Sequence, residues 1–186
     1  MVIPVNIMTK FHKVKGFFTW PRLYTNMVYK YQDGSVFVEL GVFEGRSLYY
    51  LLKVIRDKRK NIKVFGVDYF KGISEGGYKQ TLENLSEFKG HFRIMNMDSA
   101  AASKKFEDNS VDFIFIDAGH EYDEVKADIL SWLPKMKKGG VMAGHDYNGF
   151  DMGGGYPGVR KAVDEIFGRK VLKNYIDEDC WMVNIK

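Results

Sequence analysis

Residues 36–47 read VFVELGVFEGRS, and this stretch decides the fold. The run Val36–Leu40 is rich in β-branched and aromatic residues, which predicts a strand. Gly41 and Gly45 follow it and permit a sharp turn, because glycine has no side chain to restrict the backbone. The next segment has apolar residues at the spacing of one helix face, namely Leu48, Leu51, Leu52 and Ile55. Strand, glycine turn and helix in this order are typical of a unit of an open α/β sheet.

The same order recurs along the chain. Further strands are predicted at Ile62–Val67, Phe92–Met95, Val111–Ile116, Val141–Gly144, Val171–Ile176 and Trp181–Ile185. Further helices are predicted at Lys79–Phe88, Ala100–Phe106, Asp123–Leu133 and Val159–Phe167. We therefore predict an α/β fold with a doubly wound, mostly parallel sheet of seven strands, a Rossmann-like arrangement with helices on both faces. Residues 1–31 are predicted to form an amino-terminal helical flap or lid, and residues 32–186 a single ligand-binding domain.

Composition limits the class of protein. A chain of 186 residues with 45% hydrophobic residues fits one domain with a complete core. The single cysteine, Cys180, excludes an internal disulfide framework and a zinc site built from cysteines, and it fits a reducing cytoplasm. The opening segment, with Lys10, Lys13 and Lys15 among its apolar residues, is typical of neither a signal peptide nor a membrane anchor. A net charge of +4 is far from a polybasic coat for nucleic acid.

Acidic residues follow the predicted strands where an open α/β sheet binds its ligands. Asp68 ends the second strand, where an acid can accept hydrogen bonds from both ribose hydroxyls; its alternative role is a helix cap or a solvated loop acid. Asp98 closes the third strand, where it can accept from the adenine amino group or cap the next helix. The turn lacks the pattern G-x-G-x-x-G, so a nucleoside ligand without a pyrophosphate is favoured and an NAD-linked oxidoreductase is disfavoured.

Together these motifs resemble class I S-adenosylmethionine-dependent methyltransferases. The chain is similar to the compact family with an IDGDHSYE…HDY signature, which includes macrolide-sugar O-methyltransferases. The stretches that carry the resemblance are Ile116–Asp123, Trp132-Leu133, Gly139-Gly140, His145-Asp146-Tyr147 and Pro157-Gly158-Val159. The resemblance implies S-adenosylmethionine as the cofactor. It places the methionine moiety against Glu39, Gly41, Gly45 and Ser47, the ribose on Asp68, and the adenine between Tyr69 and the Asp98-Ser99 edge, with Asp117 also on the cofactor.

The reactive end is predicted after the fourth and fifth strands. Asp117, His120, His145 and Asp146 form a plausible donor set for Mg²⁺ or Mn²⁺, and the resemblance implies the same. Asp117, Asp146 and His145 are the predicted ligands; their alternative role is to cap the elements that follow. Asp117 and His120 are the predicted catalytic residues.

One residue departs from the related signature, which usually has Asp where this chain has Gly119. His120 is the predicted substitute for that acid as the base, because imidazole titrates near neutral pH. The alternative is that it orients Asp117 or binds the cofactor. Tyr122 and Tyr147 would line an acceptor pocket or belong to the core.

The predicted function is methyl transfer from S-adenosylmethionine to a small hydroxylated acceptor, such as a sugar, with assistance from a divalent metal. A non-catalytic nucleoside-binding module and an RNA-modifying methyltransferase remain as alternatives. Nucleic acid and membrane are disfavoured as partners, and the sequence leaves open whether the chain forms a homo-oligomer.

Overall fold

The predicted α/β fold is confirmed. A computed structural model describes residues 11–71, 77–148, 157–173, 177 and 179–186. Within them, one mostly parallel sheet contains six strands of at least four residues and a seventh, two-residue strand at its edge. The strands are β1 Val36–Leu40, β2 Lys63–Asp68, β3 Phe92–Asn96, β4 Val111–Ile116, β5 Met136–Gly144, β6 Leu172–Lys173 and β7 Trp181–Asn184.

Helices alternate with the strands over most of the chain. They are α1 Pro21–Lys30, α2 Arg46–Asp57, α3 Gly77–Asn84, α4 Ser99–Ser103, α5 Tyr122–Trp132 and α6 Pro157–Phe167, with short 3-10 turns at Ser86–Phe88, Leu133–Lys135 and Gly168–Lys170. None of the helices in the described ranges combines the length and the apolar character that crossing a membrane requires.

The order of the strands places the ligand crevice. The sheet runs β3-β2-β1-β4-β5-β7-β6, so the chain moves outward from β1 in one direction and then returns to the other side of it. The strands from β3 to β5 are parallel, whereas β7 pairs antiparallel with both β5 and β6. The switch point therefore lies between β1 and β4, and the loops after these two strands form the crevice in which such sheets bind ligands.

Several boundaries differ from the predicted ones. Strand β5 begins at Met136 and contains the pair Gly139-Gly140, which was predicted to precede it. The register between β4 and β5 shifts between Val111 and Phe113, and this irregularity accommodates the extra residues. Helix α4 is only five residues long. Of the predicted strand Val171–Ile176, the structure assigns Leu172–Lys173 as strand, and residues 174–176 lie outside the described part of the chain.

The amino-terminal segment contributes directly to the core. Trp20 is 1% exposed and its ring stacks on Phe115 of β4, with ring centroids 4.8 Å apart. Tyr24 and Val28 of α1 are fully buried. They belong to the apolar cluster that also contains the buried side chains of α2. This part of the predicted flap therefore packs as a layer of the domain. Residues 1–10 lie outside the described residues, and movement as a lid stays a prediction.

Gly41 is the point at which the chain turns from β1 into the crevice. Its φ is +83°, and a Cβ at this position would lie 1.8 Å from the carbonyl oxygen of Asp117. Its N–H donates to the carbonyl of Val67 at 2.9 Å. The turn is thus held between the ends of β2 and β4, and only glycine fits there.

We predict that Gly41→Ala destabilises the protein far more than Gly34→Ala. Gly34 has a similar φ of +85°, but nothing lies within 4 Å of its Cβ position. Gly34→Ala should therefore cost only the backbone strain, about 1–2 kcal/mol. Gly41→Ala adds a backbone clash and should cost at least about 3 kcal/mol. Urea denaturation of both variants measures the difference, and equal losses of stability would contradict this account of the turn.

Candidate functional site

The turn after β1, residues 41–45, is fixed from inside the crevice by Asp68. One oxygen of this carboxylate accepts hydrogen bonds from the backbone N–H groups of Val42 and Phe43, both at 2.9 Å. Its other oxygen accepts from the N–H of Phe70 at 2.7 Å. Phe43 has a positive φ of 51°, an uncommon conformation for a residue with a side chain, and these bonds stabilise it. The predicted ribose-binding acid therefore lies at the turn and joins it to the loop after β2.

Helix α3 fixes the same turn from outside. The hydroxyl of Thr81 donates to the carbonyl of Phe43 at 2.6 Å, and the side-chain amide of Asn84 donates to the carbonyl of Glu44 at 2.9 Å. A Cβ on Gly45 would approach the side chains of Thr81 and Leu85 to 3.3 Å. Gly45 thus lets α3 pack close to the start of α2, whose first backbone N–H groups face the crevice end of the sheet.

Glu39 is enclosed beneath the turn. It is 2% exposed, and one of its oxygens accepts from the hydroxyl of Ser47 at 2.6 Å. The other accepts from the phenol of Tyr24. Burial raises the pKa of Glu39 to about 8 in spite of these two hydrogen bonds, and the nearby Asp117 and Asp68 raise it further. Glu39 and Ser47, both predicted to face the methionine moiety, are bonded to each other here.

The end of β4 brings together three of the predicted reactive residues. Ligand atoms of Asp117, His120 and Asp146 all lie within 4.8 Å of one another. Nε2 of His120 is 2.8 Å from one oxygen of Asp146, and Nδ1 of His145 is 3.1 Å from the other. A second group of the same kind contains His145, Asp146 and Asp179. Carboxylate and imidazole donors at this spacing suit a divalent cation such as Mg²⁺ or Mn²⁺.

The two imidazoles and the two acids of this cluster shift one another's pKa. Burial raises the pKa of Asp117 to about 6, and the charge of Asp146 adds to this shift. Burial also acts to raise the pKa of Asp146, but hydrogen bonds from His120 and His145 outweigh it and hold that pKa well below its ordinary value. The hydrogen bond to Asp146 raises the pKa of His120. For His145, burial lowers the pKa, but Asp146 and Asp117 outweigh it and raise the pKa overall.

The adenine edge predicted at Asp98-Ser99 lies at the start of α4. One oxygen of Asp98 accepts from the N–H of Ala101 at 2.9 Å, so Asp98 caps this helix, the alternative role of this residue. The hydroxyl of Ser99 accepts from the indole N–H of Trp132 at 2.9 Å, which ties the edge to α5. Tyr69, which follows Asp68, keeps 55% of its surface exposed. Because Asp68 pairs with Asn96 in the register of β2 and β3, Tyr69 and Asp98 follow neighbouring strand ends.

The space beside Gly119 is filled by another acid. A Cβ at this position would lie 2.4 Å from a carboxylate oxygen of Glu124. Glu124 also accepts from the backbone N–H of Glu121 as part of a capping box at the start of α5. In this chain an aspartate at position 119 would therefore displace Glu124.

Both tyrosines proposed for an acceptor pocket face α6. Tyr147 is 4% exposed and lies in the core, and its hydroxyl donates to Asp164. The phenol of Tyr122 donates to Glu165 and accepts from Lys126 at 2.8 Å. The core role of Tyr147 is thus the one that the structure supports.

Sequence reasoning missed the residues that connect the amino-terminal segment to the site. Thr19 lies with its hydroxyl 3.1 Å from Nε2 of His145, and the Trp20 ring lies 4.5 Å from the His145 ring. Tyr24 reaches Glu39, as described above. No motif identifies these residues, because they are distant in sequence from the strands that they contact.

The model of a family described as a methyltransferase domain matches residues 38–147, more than half of the chain. The chain belongs to this family. The matched range runs from β1 to Tyr147 and includes the turn, Asp68 and the Asp117–Asp146 cluster.

One curated protein and two solved structures illustrate the similarity. A protein of Sinorhizobium fredii (strain NBRC 101917 / NGR234), named uncharacterized protein y4gI, is 28% identical over 115 residues; the match covers 59% of this chain and only 13% of that protein. CalS11, a TDP-rhamnose 3'-O-methyltransferase of calicheamicin biosynthesis, has a TM-score of 0.66 at 17% identity, over 97% of this chain and 81% of CalS11. MycE, solved with Mg, SAH (S-adenosylhomocysteine) and mycinamycin VI, has a TM-score of 0.61 at 14% identity, over 97% of this chain and 52% of MycE. At these identities the structures support the fold.

The raised pKa of Glu39 predicts a pH-dependent stability. A carboxyl group with a pKa near 8 in the folded state and near 4.5 when unfolded binds its proton more tightly in the folded state. Its contribution to stability is complete below pH 4.5 and is lost as the pH rises to 8. The unfolding free energy of Glu39→Gln should therefore fall less than that of the wild type between these pH values. Urea denaturation at several pH values measures this, and parallel pH profiles would contradict it.

Proposed function

We propose that this chain transfers a methyl group from S-adenosylmethionine to a hydroxyl group of a small acceptor. The observation that carries the proposal is the arrangement at the switch point: a clamped glycine turn and Asp68 on one side, and the Asp117–His120–Asp146 cluster on the other. A cofactor bound at the first half must present its methyl group to an acceptor at the second half, so the two halves must be adjacent. The family membership and the SAH and Mg of MycE support the same reading.

In this proposal the cofactor lies along the ends of β1, β2 and β3. Asp68 binds the ribose through lone pairs that the backbone bonds leave available, since, among the described residues, its second oxygen accepts from Phe70 alone. Tyr69 and the Asp98-Ser99 edge flank the adenine. The buried carboxylate of Asp117 stabilises the cationic methionine end. Gly41, Gly45 and Ser47 shape the turn around it, and the carboxyl group of Glu39 accepts a hydrogen bond from Ser47 beneath the turn.

In the reaction, the acceptor oxygen forms a bond to the methyl carbon while the bond between that carbon and the sulfonium sulfur breaks. The products are the methyl ether and S-adenosylhomocysteine. His120 receives the hydroxyl proton through a ring nitrogen, and Asp146 stabilises the resulting imidazolium. His145 holds the other oxygen of Asp146 and fixes its orientation. His120, Asp146 and His145 thus hold the acceptor oxygen in line with the methyl group.

The donor set of the cluster fits a divalent cation. Asp117 and Asp146 would hold it as the anionic ligands, with His120, the proposed base, within 4.8 Å of both; His145 belongs to the second group, with Asp146 and Asp179. Such an ion lowers the pKa of an acceptor hydroxyl and so promotes its deprotonation.

Binding and turnover separate this proposal from its alternative. Calorimetric titration with S-adenosylhomocysteine should give a stoichiometric complex, and labelled S-adenosylmethionine should transfer its methyl group to a hydroxylated member of a mixed acceptor panel. Binding without transfer to any acceptor would favour a non-catalytic nucleoside-binding module. Tighter binding of NAD than of S-adenosylhomocysteine would overturn the cofactor assignment.

We predict that Asp68→Ala weakens the binding of S-adenosylhomocysteine at least tenfold. The substitution removes the hydrogen-bond acceptor for the ribose and the hydrogen bonds that hold the turn. Asp33→Ala is the matched control, since Asp33 also accepts a backbone N–H bond, from Asn61 at 2.9 Å, before β1 begins. Calorimetry of both variants measures the effect. Unchanged affinity of the Asp68 variant would remove the ribose assignment.

We predict that Asp117→Asn weakens Mn²⁺ binding at least tenfold and abolishes metal-stimulated activity, because an amide replaces an anionic ligand. Asp108→Asn is the control, because Asp108 is a surface acid paired with Lys135. Calorimetric titration with Mn²⁺ and assays with a chelator measure the effects. Wild-type activity that is indifferent to the chelator would count against the metal.

A further inference from the structure

Asp128 is a buried acid that belongs neither to the glycine turn nor to the reactive cluster. It lies on α5, and only 8% of its surface is exposed. Its carboxylate accepts a hydrogen bond from the hydroxyl of Ser99, the first residue of α4. Burial raises the pKa of Asp128 to about 6 although this hydrogen bond lowers it, and the charges of Asp98 and Glu124 add to the rise. The group is therefore a carboxylate at neutral pH, and Ser99 is the partner that its burial requires.

Ser99 is held by two side chains of α5. Its hydroxyl donates to Asp128 and accepts from the indole N–H of Trp132 at 2.9 Å. Asp128 and Trp132 are four residues apart, so they lie on one face of α5, one turn from each other. A hydroxyl group has a single hydrogen, and here that hydrogen is used in the bond to Asp128. Ser99 thus anchors α4 and has no hydrogen left to donate to a ligand.

The indole that donates to Ser99 is itself fixed by packing. Trp132 is fully buried, and its ring packs on Phe106 with ring centroids 4.9 Å apart. Phe106 in turn packs on Phe65 of β2, with centroids 5.0 Å apart. Because α5 and β2 hold this set of rings, the position of Ser99 is determined by elements outside α4.

Helix α4 depends on such anchors. It has five residues, too few for a helix that is stable on its own. The strand before it, β3, is the outermost strand at its side of the described sheet and pairs with β2. Asp98 is the last residue before α4 and caps it by accepting from the N–H of Ala101. A displacement of Ser99 would therefore move Asp98 as well.

We propose that Asp128 is a positioning residue of the cofactor site. By holding the hydroxyl of Ser99, it places Asp98 where that carboxylate accepts from the 6-amino group of adenine. This inference rests on the proposed function, in which the Asp98-Ser99 edge flanks the base. Helix α5 begins two residues after His120, so the same helix connects the adenine edge with the reactive cluster.

The test compares two ligands by competition calorimetry. They are S-adenosylhomocysteine and S-inosylhomocysteine, in which a carbonyl oxygen replaces the 6-amino group. Asp128→Ala removes the acceptor for Ser99, and we expect it to weaken S-adenosylhomocysteine about tenfold. S-inosylhomocysteine should lose less than about threefold, because it has no amino group to donate to Asp98. Asp128→Asn keeps an acceptor oxygen and should retain the affinity for S-adenosylhomocysteine within about threefold.

A double-variant cycle tests whether the effect passes through Ser99. Ser99→Ala should weaken S-adenosylhomocysteine about as much as Asp128→Ala does. The combined variant should bind it no more weakly than the weaker single variant, since both changes break the same hydrogen bond. Losses that multiply in the combined variant would mean that the two residues act independently, and this would overturn the inference.

Ile129→Val provides the matched control. Ile129 is the next residue of α5 and is fully buried in the core. The substitution removes one methyl group, which lowers stability modestly and leaves the carboxylate of Asp128 in place. This variant should bind both ligands as the wild type does. If it changes the ratio of the two affinities as Asp128→Ala does, the effect is one of general stability and the inference is wrong.

The two proposals fail in different ways. If S-adenosylhomocysteine does not bind the wild type, the proposed function itself fails. If it binds the wild type and Asp128→Ala with equal affinity, only the role of Asp128 is lost. Should Asp128→Ala not fold, Ser99→Ala gives the same comparison of the two ligands. With an acceptor that is turned over, Asp128→Ala should raise the KM for S-adenosylmethionine about tenfold and change kcat little, because the adenine edge contacts no reacting atom.

Discussion

The contact between Gly41 and the backbone of Asp117 is the constraint on which the site depends. It brings the end of β1 against the end of β4 with no room for a side chain between them. Because the two strands are neighbours in the sheet, this contact sets the glycine turn beside the residues that follow β4. A larger residue at position 41 would separate the proposed cofactor side from the acidic cluster. The closeness of the two halves thus follows from steric exclusion at one residue.

Acidic side chains are concentrated at this end of the sheet, and hydrogen bonds and ion pairs within the protein stabilise them. Three backbone N–H groups donate to the carboxylate of Asp68, and two imidazoles contact the carboxylate of Asp146. Glu39, whose pKa is raised, is a buried carboxyl group with two hydroxyl partners. Burial raises the pKa of Asp117, and the nearby charges of His145 and His120 act in the opposite direction. Such an arrangement favours cationic ligands, because each positive charge relieves the repulsion among the acids. The proposed sulfonium and the proposed divalent cation would both neutralise this charge, from two sides of the crevice.

The amino-terminal segment is a structural part of this site. Tyr24 completes the hydrogen bonding of the buried Glu39, and Thr19 contacts His145 on the other side of β4. Trp20 lies between these contacts and stacks on Phe115 of that strand. A disturbance of the segment would therefore affect the proposed cofactor side and the acidic cluster together. Trp20 and Tyr24, which lie in the predicted flap, thus have specific contacts with the sheet and with Glu39.

The sequence by itself determined the order of the elements, the glycine turn and the acids at the strand ends, because local periodicity and turn chemistry depend on residues close together in the chain. The register shift that places Gly139-Gly140 inside β5 is a property of two paired strands, and therefore no single run of residues predicts it. The same holds for the partners of the acids: Tyr24 is 15 residues from Glu39, and Thr19 is 126 residues from His145. Only the tertiary structure decided these contacts, since they arise when helix α1 and the segment before it pack on a sheet assembled from distant strands.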